Sequence, residues 1–148
     1  MKSTATATAV AEAVRVVEAS AADPEVRIIR RIEVGQAIQQ GDVYLHSVAD
    51  DHSRGKQIGI ESVQIALGTG NGARHVAEGA VRVYAGTTLP PGVSAPDNVA
   101  ASEICGPMVV ADEPWTLTHP EHPHHRLPAG SYQTTYQYDA QTMRRVQD

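Results

Sequence analysis

From Glu25 onward polar and apolar residues take turns along the chain, and glycine or proline interrupts the pattern every few positions. A period of two is the mark of a strand with one face inward and the other outward. "EVRIIRRIEV" (25–34) alternates Val26, Ile28, Ile32 and Val34 with charged residues. "QGDVYLHSV" (40–48) sets Val43, Leu45 and Ser47 against Tyr44, His46 and Val48 after a Gly-Asp turn. "QIGIESVQIAL", "AVRVYAG", "PMVVADEPWTLTH" with a kink at Pro114, and "SYQTTYQYD" repeat the theme. About seven to nine short strands at such spacing predict an all-β, mostly antiparallel sandwich or jelly roll of the cupin or β-clip kind.

The interior must be built without phenylalanine and with a single tryptophan. Valine, isoleucine, leucine and alanine fill it, which suits a pleated surface. A formal net charge of −5 argues against direct nucleic-acid binding, which needs a surplus of Lys and Arg facing phosphate. Cys105 is the only cysteine, so an internal disulfide and a thiolate zinc site are both excluded. No apolar run approaches the ~18–20 residues of a membrane span. The first residues lack the apolar core of a signal peptide, so the expected location is the cytoplasm or a virion.

Residues 1–24 form a separate arm ahead of a β-domain at 25–148. Val10, Val14 and Val17 recur at i, i+4 and i+7 on an alanine-rich background, helical spacing that Asp23-Pro24 terminates. Three valines on one face leave such a helix marginal alone in water. The arm is therefore expected to contact a protein partner or another copy through those valines.

Histidines supply the candidate chemistry. "HPEHPHH" (119–125) places four of the seven histidines in one stretch, and His75 and Glu78 follow the glycine turn "GTGNG". Two imidazoles from distant segments with a nearby carboxylate are a donor set for a divalent transition metal. The candidate ligands are His75, Glu78, His119 and His122. Against them, two prolines predict an extended, solvent-facing loop at 119–125, and Arg74 and Arg126 adjoin the histidines. The glycine turn lacks the Lys-Ser/Thr of a phosphate-binding loop. No nucleophile elbow or paired carboxylate motif is present.

"QGDVYLHSV", "GNGARHVAEGAVRVY", "LTHPEH", "LPAG" and "YQTTYQ", in that order, resemble a family of small bacterial and phage β-proteins. Its pattern runs QGDV, then TGHxH, then HPEH or HEEH, then LPxGxY. The resemblance covers about residues 39–138 and implies architecture rather than an activity. Where that pattern has its first histidine this chain has Ala73, which removes a potential metal ligand. The expected function is a non-enzymatic assembly or binding protein without a cofactor, such as a structural, minor capsid or decoration component of a phage-type particle, working as an oligomer or within a larger assembly. The alternative is a cupin-like metal-binding protein or metalloenzyme using His75, Glu78, His119 and His122.

Overall fold

The structure is a computed structural model and describes residues 17–19, 26–66, 74–139 and 144–145. The protein is nearly all β, as the alternation predicts: a strongly curled mixed sheet forms a half-barrel. The strands are β1 (Val17–Ala19), β2 (Val26–Ile29), β3 (Ala37–Gln40), β4 (Val43–Val48), β5 (Arg54–Ala66) and β6 (His75–Gly86). A four-residue helix, α1 (Ala101–Ile104), leads into β7 (Cys105–Ala111), β8 (Trp115–Thr118), β9 (His124–Leu127) and β10 (Gly130–Tyr136). β11 (Tyr138–Asp139) and β12 (Arg144–Arg145) pair separately.

The curl has a local cause. β6 pairs with β5 along its length, and with β7 and then β8 in two successive stretches. β7 and β8 are thus one strand broken at 112–114. Opposite that break β6 carries Gly79 (φ 122), and β5 carries Glu61 (φ 68) between the pairs Ile60↔Arg82 and Ser62↔Glu78. Bulges bend the strands that hold them. Three irregularities lying side by side fold the sheet along one line, with β7–β10–β4–β3 on one arm and β8–β9–β2–β1 on the other.

Between the two arms lies the core of Ile29, Ile38, Val43, Leu45, Ile65, Val81, Val83, Val109, Trp115, Leu117, Leu127 and Tyr132. Trp115 and Tyr132 meet edge to face with centroids 5.4 Å apart, a favoured aromatic geometry. Tyr136 of β10 is tied to the end of β5, its hydroxyl donating to the Ile65 carbonyl at 2.6 Å. β4 is buried along both faces, as are Ser131–Thr135 of β10, so the alternation in these two strands does not separate a wet face from a dry one.

The sequence and the structure part company at three places. Val17, the last valine of the expected helical stripe, lies in β1, paired antiparallel with β2 (Val17↔Ile29); Val10 and Val14 lie outside the described residues. The strand expected over 25–34 stops at Ile29, and a turn follows at Val34–Gly35. Third, the stretch 119–125 is not a solvent-facing loop: His119 and His125 are buried, and His124–Leu127 form β9, parallel to β2 and antiparallel to β8. Proline there limits only its own N–H, and both prolines precede the strand that needs donors.

"LPAGSY" makes the turn from β9 into β10. The Tyr132 hydroxyl reaches back to the Pro128 carbonyl at 2.7 Å, the kind of closure made by a corner tyrosine in Greek-key sandwiches. Gly130 sits at φ +154, where a side chain is strained. Gly130→Val is expected to cost about 1–3 kcal/mol, read as a lower denaturation midpoint; an unchanged midpoint would show that the turn tolerates a branched residue.

A buried histidine cluster at the mouth of the half-barrel

The β3–β4 hairpin and the β8–β9 connection meet at one end of the half-barrel. The hairpin turns on Gly41 (φ 57) followed by Asp42 at negative φ, the sign pattern of a two-residue II′ turn. A turn this tight sends the side chains of Gln40 and Asp42 to the same place, against His75 at the start of β6. All three are 1–2 % exposed.

Hydrogen-bond logic fixes the protons here. The Gln40 amide nitrogen donates to the carbonyls of Leu117 (3.0 Å) and Pro123 (2.9 Å). Gln40 Oε1 therefore faces His75 Nδ1, 2.8 Å away, and as an acceptor it requires a proton on that nitrogen. On the other side His75 Nε2 lies 2.9 Å from Asp42 Oδ1. One proton must lie between them, held by the imidazole in an ion pair or by the carboxyl in a neutral one. Gln40, His75 and Asp42 thus form a clasp between β3–β4, β6 and the β8–β9 connection.

His119 lies against His75 with ring centroids 4.4 Å apart and planes tilted by 52°, and His122 lies against His119 at 4.4 Å and 45°. His119 Nδ1 accepts the Glu121 backbone N–H at 2.9 Å, so in the neutral ring the proton sits on Nε2. His125 is 3 % exposed. Burial, then the charges of Arg27, His122, His124 and His75, lower its pKa to about 4. No hydrogen-bond partner among the described residues reaches His125 Nδ1. On the far face of β4, His46 Nε2 lies 2.9 Å from Thr135 Oγ1, and burial brings its pKa to about 4 as well.

Of the four candidate ligands, the fold gathers His75, His119 and His122. Glu78 is exposed, with Thr118 Oγ1 3.4 Å from its carboxylate. Both ring nitrogens of His75 are engaged, and His119 could offer Nε2 to a cation only by giving up its bond from Glu121, because a neutral ligand imidazole carries its proton on the other nitrogen. No group of three or more His, Cys, Asp or Glu among the described residues is arranged to hold a metal ion. The same count of lone pairs leaves His75 no nitrogen to activate a nucleophile, so the Asp-His pair lacks the third member of a catalytic triad. Gln40, Asp42 and His125 are missing from the sequence-based candidates. The signal for the first two was the "QGD" turn, whose flanking side chains converge.

Residues 39–137 match the family described as Domain of unknown function (DUF8820). The chain belongs to this family. Its matched span starts within β3, just before the hairpin turn, and ends just after β10, so it takes in Gln40, Asp42, His75 and the whole 119–125 stretch. Comparison with curated proteins and with solved structures finds no match.

Proposed function

We propose that this protein is a non-enzymatic binding and assembly domain. One observation carries the reading: β5 is thirteen residues long, pairs only with β6 among the described residues, and exposes Ile58 and Ile60 by 53 % and 52 %. Half-exposed isoleucines beside a long open strand edge are what a contact surface offers. The buried polar groups favour the same reading, since the clasp bonds within itself and holds strands together. A phage-type particle is the setting suggested by the sequence resemblance. The arm is the second contact element in this proposal. Deleting residues 2–16, which leaves β1 in place, is expected to give a folded domain with weakened self-association or partner binding by sedimentation. A truncated chain that fails to fold would place the arm in the core and remove it from the assembly role.

The contiguous rings of His75, His119 and His122 favour a second reading, a divalent-metal site that forms when the clasp rearranges. The purified protein is expected to carry well under one equivalent of transition metal. Elemental analysis returning stoichiometric metal, lost on combining His119→Ala with His122→Ala, would replace the assembly reading with this one.

A further inference from the structure

We draw no further inference here: the strongest candidate, the open edge of β5 with half-exposed Ile58 and Ile60, carries nothing beyond the assembly reading, because two register shifts interrupt its run from Arg54 to Ile60 and nothing in the structure shows what covers it.

Discussion

Replacing His75 with alanine is expected to destabilise the domain by about 3–5 kcal/mol, because it strands two buried groups, the Asp42 carboxyl and the Gln40 amide oxygen, at once. The variant leaves Asp42 buried at 1 % exposure without its imidazole and removes the partner of Gln40 Oε1. For a domain of this size that corresponds to a fall in melting temperature of roughly 10–20 °C. Asp42→Asn is the informative companion, because its amide N–H can still donate to His75 Nε2 and keeps the contact as a neutral pair. It should cost much less. If His75→Ala melts within a degree or two of wild type, the clasp does not hold the hairpin to the β8–β9 connection.

Acid should unfold this protein well before its carboxylates are exhausted. His46 and His125 have folded-state pKa values near 4 against about 6.5 in an unfolded chain. Below pH 6.5 the unfolded state binds more protons than the folded one, so stability falls with pH. The contribution is intact above about pH 6.5 and disappears progressively as the pH drops towards 4. Each group accounts for about 3 kcal/mol over that window. Urea midpoints between pH 7 and 4 would measure the slope. His125→Leu should flatten it while costing little at pH 7, since His125 Nδ1 makes no hydrogen bond there among the described residues. A slope that His125→Leu and His46→Gln both leave unchanged would assign the acid sensitivity to other groups.

How far the sequence could be read depended on what each residue had to satisfy. Alternation located β6, β7 and β8 because their inward side chains are apolar, and Pro114 marked the break between β7 and β8; β4 and β10 alternate in residue type although both of their faces are buried. Alternation failed for β9, where the inward residue beside Leu127 is His125. A polar residue in a core position erases the pattern by which a strand is recognised. It failed again at β1, where Val17 fits a helical stripe and a strand equally well, and pairing with Ile29 decides. His75, His119 and His122 stood out by residue type, but type alone does not say which nitrogen is already engaged. That depends on Gln40, which reads as an ordinary strand-end residue until its bonds to Leu117 and Pro123, far along the chain, are seen.

The parallel pairing of β2 with β9 has a consequence for how the chain is made. Val26 is joined in register with His124, a residue that leaves the ribosome about 100 positions later. At ordinary elongation rates that is a wait of roughly 5–20 seconds, during which β2 has no partner on that side. Arg27, Arg30 and Arg31 fall within and just beyond this strand, and like charges flanking an apolar segment discourage it from joining the same segment on a neighbouring nascent chain. On this view the basic cluster protects the first third of the protein until the histidine strand arrives to cover it.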